Sequence, residues 1–299
     1  MSDSDRAKTI AIVGAGEMGA AVGRRLRESG ARAITTLKGR GAASVERVRD
    51  AKLEVIDDDD QLVAESTIIL SIVPPGEAIA VAERFHGPLM RAGLKPIFVD
   101  CNAISPATVR RIADSLAPTG CGFIDAGIIG GPPRPGGKGS EPRFYASGEH
   151  AHELTSLRDF GLGFGLNLAV VDGGIGAASA LKMSYAGLTK GLIAVGAAMF
   201  GAASRAGLAP ELREELARSQ PQLLAMLTAM IPRIYSKAYR WVSEMEQIAE
   251  FVGGDATGGK IYVGAARLYE QLAADFEQGR DTAESIAALN SFCRGELKR

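Results

Sequence analysis

Lys8-Thr9-Ile10-Ala11-Ile12-Val13-Gly14-Ala15-Gly16-Glu17-Met18-Gly19 is the stretch from which the rest of the chain is read. A short apolar, β-branched run enters Gly-x-Gly-x-x-Gly, and Ala20, Ala21, Val22 and Leu26 then begin an apolar helical spacing. Strand, tight turn and helix in that order give the glycine pattern the context it needs to mean anything. Gly14 permits the sharp turn, Gly16 lets the backbone approach a pyrophosphate, and Gly19 lets the helix pack closely on the strand. The helix start, with Glu17 and Met18 in its first turn, presents backbone N–H groups and a positive dipole end to phosphates. The expectation is a dinucleotide-binding turn.

Working outward, short apolar runs alternate with helical patterns as far as residue 171. Strands are expected at 9–13, 33–37, 53–56, 67–73, 96–100, 121–125, 142–147 and 166–171, with helices at 17–29, 43–51, 76–86, 105–117 and 149–159. Such alternation predicts a parallel, doubly wound sheet of Rossmann type, with ligands at the carboxyl ends of the strands. After Asp172-Gly173-Gly174 the class changes to all-α. A long helical pattern runs over 175–206, and others over 209–219, 221–230, 233–252, 259–276 and 280–297. The expected domains are thus an α/β nucleotide-binding domain, 1–172, and a helical substrate and dimerisation domain, 173–299.

The composition narrows the field. A length of 299 residues allows one large or two medium domains. A hydrophobic content of 46% with 23% charged residues is that of an ordinary soluble protein, and a formal charge of -1 argues against nucleic-acid or anionic-membrane partners. The polar Met1-Ser2-Asp3-Ser4-Asp5 lacks the build of a signal peptide, and Gly191 to Ala203, the longest apolar stretch, is short for a membrane span. Cys101, Cys121 and Cys293 are scattered, odd in number and without metal-ligand spacing, as in a cytoplasmic protein with reduced thiols and no metal site.

Each later strand end offers polar groups. An NAD site places an acid about 20 residues past the glycine turn. Here Ile34 to Arg40 carries none, while Lys38 and Arg40 suit a 2′-phosphate, so NADP is expected over NAD, a solvated basic turn being the plainer alternative. Val73 and Pro74 lie in the loop expected beside the nicotinamide ribose. In Asp100-Cys101-Asn102-Ala103-Ile104-Ser105-Pro106, Ser105 reads as a helix cap, and the Asn102 amide is placed to bond cofactor or substrate. Asp125 to Gly131 reads as a loop whose Ile129, Gly130 and Gly131 bare backbone N–H groups to a substrate anion. Arg134 and Lys138, in the Pro/Gly-rich continuation, are further anion contacts or solvated charges.

Gly173 to Gly191 is the second informative stretch. Lys182 sits in a small-residue, apolar helix, where burial disfavours its charged form and makes it a general base near neutral pH. Tyr185, three positions on, shares its face. A snorkelling lysine and a packing tyrosine is the alternative.

These motifs, in this order, resemble the β-hydroxyacid dehydrogenase superfamily, which includes 6-phosphogluconate and 3-hydroxyisobutyrate dehydrogenases. The cofactor turn is similar, with Met18 before the last glycine. Asp100 to Pro106 resembles Asp-x-Ser-Thr-x-Ser-Pro, with Asn102 and Ala103 replacing Ser-Thr. Asp125 to Gly131 resembles Asp-Ala-Pro-Val-Ser-Gly-Gly, with Gly127 for proline and Ile129 for serine. Gly173 to Tyr185 resembles the helix carrying the catalytic lysine, and Lys182 falls on it. Departures follow: Tyr185 for the family Asn or His, Ala186 for the next Asn, and Thr189 for an acid, which argue against 6-phosphogluconate itself.

Arg240-Trp241-Val242-Ser243-Glu244-Met245-Glu246 looks typical of a poorly characterised branch, and by analogy Trp241 and Glu244 contact substrate, a core tryptophan and a surface glutamate being the plainer individual readings. The resemblance implies a homodimer and NADP-dependent hydride transfer with a small hydroxy acid or related alcohol. In that reaction Lys182 is the acid/base group and Tyr185 assists. An imine reductase on the same scaffold, or a non-catalytic nucleotide-binding module, is the alternative.

Overall fold

The computed structural model describes residues 9–137, 141–157, 164–253, 257–279 and 284–297. In chain order the first part contains β1 (Thr9–Val13), α1 (Glu17–Glu28), β2 (Arg32–Thr35), α2 (Ala42–Ala51), β3 (Glu54–Val55), α3 (Asp59–Glu65) and β4 (Ile68–Ser71). It continues with α4 (Ala78–Arg91), β5 (Ile97–Asp100), α5 (Pro106–Leu116), β6 (Phe123–Ile129), β7 (Arg143–Ser147) and β8 (Asn167–Val170). One sheet runs β3-β2-β1-β4-β5-β6-β7-β8. Its order reverses between β1 and β4, so the glycine turn sits at the crevice where such sheets bind ligands.

Every residue of β1 is buried, as expected for a strand covered on both faces. Ala11 and Val13 join Ile69, Phe85 and Phe98 in one core layer, while Ile10 and Ile12 join Leu26, Leu70 and Ile124 in another. That split follows from the two-residue alternation of a strand.

Five expectations change. The sheet is not wholly parallel: β6 and β7 pair antiparallel, and β7 with β8 parallel. Among the described residues, the connection from β6 to β7 holds a short 3₁₀ turn at Pro135–Gly137 and no α-helix of the kind that usually carries a parallel crossover. β6 also runs on to Ile129, so Asp125 to Ile129 is strand rather than loop. α3, hidden in the run Asp57-Asp58-Asp59-Asp60, starts on Asp58, whose carboxylate accepts from the Asp60 N–H at 2.9 Å. α4 passes through Pro88 to Arg91. An interior proline costs about 3 kcal/mol, and the full burial of Phe85 and Leu89 on either side offsets it. Residues 151–157 form a 3₁₀ helix where an α-helix over 149–159 is expected.

The remaining helices are α6 (Ala177–Arg205), α7 (Ala209–Ser219), α8 (Pro221–Met230), α9 (Ala238–Val252), α10 (Thr257–Gly279) and α11 (Glu284–Arg294). α9 starts later than expected, after 3₁₀ turns at Ile231–Arg233 and Tyr235–Lys237, the first holding Pro232. The chain divides into two compact units after Met183, within α6. α6 as a whole, longer than the Gly191 to Ala203 stretch within it, is long and apolar enough to cross a membrane by length and composition, a test that the core helix of a soluble protein also passes. Its most apolar window is 44% buried within the fold.

Candidate active site

At the end of β1 the three glycines serve different needs. Gly14 has φ +101°, and a Cβ there would lie 2.3 Å from the Ile72 carbonyl oxygen. A Cβ on Gly19 would lie 2.1 Å from the Gly14 carbonyl oxygen, with Ile12 behind it at 3.3 Å. The tight contact of Gly19 is therefore first with the turn and only then with the strand. Around Gly16 nothing stands within 4 Å of an added Cβ. Gly16 is the N-cap of α1 and supplies no side chain to it. The fold needs Gly14 and Gly19; the open space at Gly16 is what a pyrophosphate approaching the backbone would use.

The end of β2 carries the expected basic pair in company the sequence order conceals. Arg40 pairs with Glu77 at 3.1 Å, and Lys38, 68% exposed, stands 3.9 Å from Asp59. Asp59 is held by Arg84, which bonds both its carboxylate oxygens at 2.5 and 2.8 Å and reaches the Thr36 hydroxyl at 3.2 Å. From α2, Arg47 reaches the Ala15 carbonyl in the glycine turn at 3.4 Å. Arg47 and Arg84 escape sequence reasoning because neither belongs to the β2 motif.

A polar row crosses the sheet at its ligand edge: Ser71, Asp100, Asp125 and Ser147 are register partners on β4, β5, β6 and β7, all buried. Asn102 ties the Val73–Pro74 loop to this row. Its Oδ1 accepts from the Val73 N–H at 2.7 Å, and its Nδ2 donates to Ser71 Oγ at 3.0 Å and Asp100 Oδ2 at 2.9 Å. The expectation that this amide faces cofactor or substrate is corrected: Asn102 is 2% exposed and both its amide hydrogens are engaged within the sheet. Burial pushes the Asp100 carboxyl up to about 7, with the neighbouring Asp125 adding to it against the Asn102 bonds. Ser105 caps α5 as expected, accepting from the Thr108 N–H at 3.0 Å.

Asp125 does what no motif announces. Its Oδ2 accepts from the N–H groups of Gly176 and Ser179 and from Ser147 Oγ, and its Oδ1 from Ser179 Oγ at 2.6 Å. A buried carboxylate thus receives the start of α6, where the helix dipole also favours negative charge. One turn on, Lys182 Nζ donates to the Ile128 carbonyl at 2.7 Å. Gly127 makes this approach possible, since a Cβ there would lie 3.0 Å from Lys182 Cβ and 3.1 Å from the Ala178 carbonyl. Lys182 is therefore held at the last residues of β6, which ends at Ile129 and is followed by Gly130 (φ +121°) and Gly131. The following loop is fastened to α1 through Arg24 to the Pro133 carbonyl at 2.9 Å and an Arg25–Glu141 ion pair. Arg134 is exposed, and Lys138 lies outside the described residues.

In the helical unit Tyr185 is 49% exposed. Glu244 is not the surface residue its helix position suggests: it is 5% exposed and ion-paired with Lys190. Lys190 Nζ lies 4.7 Å from the Trp241 ring centroid, and Trp241 packs edge-on against Tyr269 at 5.2 Å. The Tyr269 hydroxyl donates to the Lys190 carbonyl at 2.6 Å, and burial pushes that phenol well above its usual range.

Residues 9–148 match the family described as the NAD binding domain of 6-phosphogluconate dehydrogenase, and residues 203–272 match a domain of unknown function, DUF1932. An uncharacterized 28.5 kDa protein of Methanothermus fervidus is 26% identical over 244 residues, covering 81% of this chain and 90% of that one. The solved structure of the conserved protein MTH1747, of unknown function and structurally similar to 3-hydroxyacid dehydrogenases, is 29% identical with a TM-score of 0.64, covering 91% of this chain and 99% of that one. Mycobacterium tuberculosis 3-hydroxyisobutyrate dehydrogenase, solved with L-serine, is 20% identical with a TM-score of 0.67, covering 95% and 98%, and shares the fold. A glycine turn at the reversal point of such a sheet is the arrangement of a dinucleotide-binding domain, in keeping with the match to an NAD binding domain. The chain is thus similar to the β-hydroxyacid dehydrogenase-like proteins, as a divergent relative.

Proposed function

We propose that this protein transfers a hydride between NADP(H) and a small hydroxy acid or related alcohol, with Lys182 as general base in oxidation and general acid in reduction. The observation that carries the reading is Lys182 Nζ at 2.7 Å from the Ile128 carbonyl, on the ligand edge of the sheet that also holds the glycine turn. That carbonyl holds the amine at a stated place, as a proton-transfer group requires.

The residues present fit the cofactor, since Gly16 leaves the space its pyrophosphate needs. Lys38, Arg40 and Arg47 take the 2′-phosphate, and the Val73–Pro74 loop flanks the ribose. When bound, the nicotinamide supplies the hydride acceptor or donor. Lys182 moves the hydroxyl proton, Tyr185 assists, and the backbone of Ile129, Gly130 and Gly131 receives the polar end of the substrate. By the resemblance alone, Trp241 and Glu244 are also assigned to the substrate. The protein is placed in the cytoplasm.

We further read the molecule as a homodimer. Leu181, Tyr185, Leu188, Leu192, Val195 and Met199 recur every four and three residues along α6 and are 38–74% exposed. That is the seam spacing of a helix packing on a helix.

The test is NADPH-dependent turnover of a panel of hydroxy acids and their keto partners, with Lys182→Ala alongside. Activity on one class that falls at least 10²-fold in the variant is expected. NADPH binding with turnover of cyclic imines alone would transfer the protein to the imine reductases, and binding of NADH in preference would overturn the cofactor assignment.

A further inference from the structure

Asp100 is a buried carboxyl with no place in the chemistry above, yet it stands at the centre of the polar row. The Val73 N–H is held by Asn102, and Asn102 is held by Asp100 twice: its backbone N–H donates to Oδ1 at 3.0 Å and its Nδ2 to Oδ2 at 2.9 Å. We propose that Asp100 is a positioning residue for the cofactor, setting the Val73–Pro74 loop through Asn102 and releasing it when the carboxyl takes up a proton. The proposal rests on the reading of that loop as part of the cofactor site.

The hydrogen-bond chemistry gives the direction. An ionised carboxylate only accepts, which suits a neighbour offering two donors. A proton on either oxygen opposes a donor to one of them, so the amide loses a bond and its hold on Val73 weakens. The ionised form is thus the one that orders the loop. Burial works the other way and places the exchange near neutral pH, at about 7. Above that value the loop is held; as pH falls through it the hold is lost, and NADP(H) affinity falls with it.

The groups facing Asp100 are few. Asp125 presents its carboxylate from β6, Ser71 a hydroxyl from β4, and Cys101, next along the chain, a thiol that burial raises well above its usual range. Asp125 takes its own donors from the start of α6 and adds to the upward push on its neighbour.

Two measurements on the full chain decide the matter. In ¹⁵N-labelled protein, the Val73 amide and the Asn102 side-chain amide should titrate together with a midpoint near pH 7, and neither should titrate in Asp100→Asn. The Kd for NADPH, read by its fluorescence, should weaken at least threefold from pH 8 to pH 6 beyond any change in Asp100→Asn, which cancels titration of the nucleotide itself. Asn102→Ala, which leaves Asp100 in place but cuts its link to Val73, should lose the same pH term and keeps the test open if Asp100→Asn fails to fold. Amide resonances flat across this range, or the same pH dependence in the variants, would overturn the proposal. A chain that binds no nicotinamide nucleotide at any pH would instead overturn the assigned function, with the amide titration still deciding whether Asp100 governs the loop.

Discussion

Gly16 and Gly19 look alike in the motif and differ in the fold. Alanine at 19 must push a backbone carbonyl 2.1 Å away, which no side-chain rotation relieves. Alanine at 16 meets nothing within 4 Å. Gly19→Ala should therefore lower stability, by about 1–3 kcal/mol as overpacking does, together with cofactor binding. Gly16→Ala should leave the melting temperature within a degree or two while weakening NADPH binding at least tenfold. Thermal melts and NADPH titrations of the pair would separate the two demands, and equal melting losses would show that Gly16 too is structural. Glu244 makes the same point in reverse. A glutamate on a helix reads as solvent-facing until the structure sets Lys190 against it from another helix.

Among elements, α6 is defined by how it starts. Its pattern of glycines and small residues is legible, as is the lysine one turn in, but the anchor Asp125 lies on a strand 51 residues before Gly176. No local rule links them. Asp125→Ala would leave four donors without their acceptor: two backbone N–H groups and two serine hydroxyls. Bare buried donors cost about 1–3 kcal/mol each and the hydroxyls can turn elsewhere, so a net loss of about 3–5 kcal/mol is expected. Urea unfolding measures it; a loss under 1 kcal/mol would mean the start of α6 is held by other contacts. β6 shows a related difficulty. Asp125 to Ile129 has the glycine and small residues of a loop, and it becomes strand because β7 returns beside it and takes up its backbone groups.

For the molecule as a whole, the exposed apolar row on α6 asks for a cover. Leu188, at 74% exposed, is its most open member. Leu188→Glu should halve the assembly, so that sedimentation gives the 31.3 kDa chain where the wild type gives twice that mass. A wild type that sediments as a monomer at micromolar concentration would leave the row without its proposed partner. Tyr185 lies on the same row, so Tyr185→Phe is informative: it should preserve the dimer and lower turnover if the hydroxyl assists Lys182.

Local chemistry was enough for the class of this protein. The glycine turn, the change from alternating elements to helices, the cap at Ser105 and the lysine in an apolar helix all rest on interactions between residues close in sequence, so they can be read in order along the chain. The pairing of distant residues lay beyond it. The return of β7, the Asp125 anchor, the Arg47 contact with the glycine turn, the Arg84 contacts with Asp59 and Thr36, the in-sheet use of the Asn102 amide and the Lys190–Glu244 pair each join residues far apart in the chain. Buried polar groups take whichever partner packing delivers, and a sequence names the groups without naming the partner.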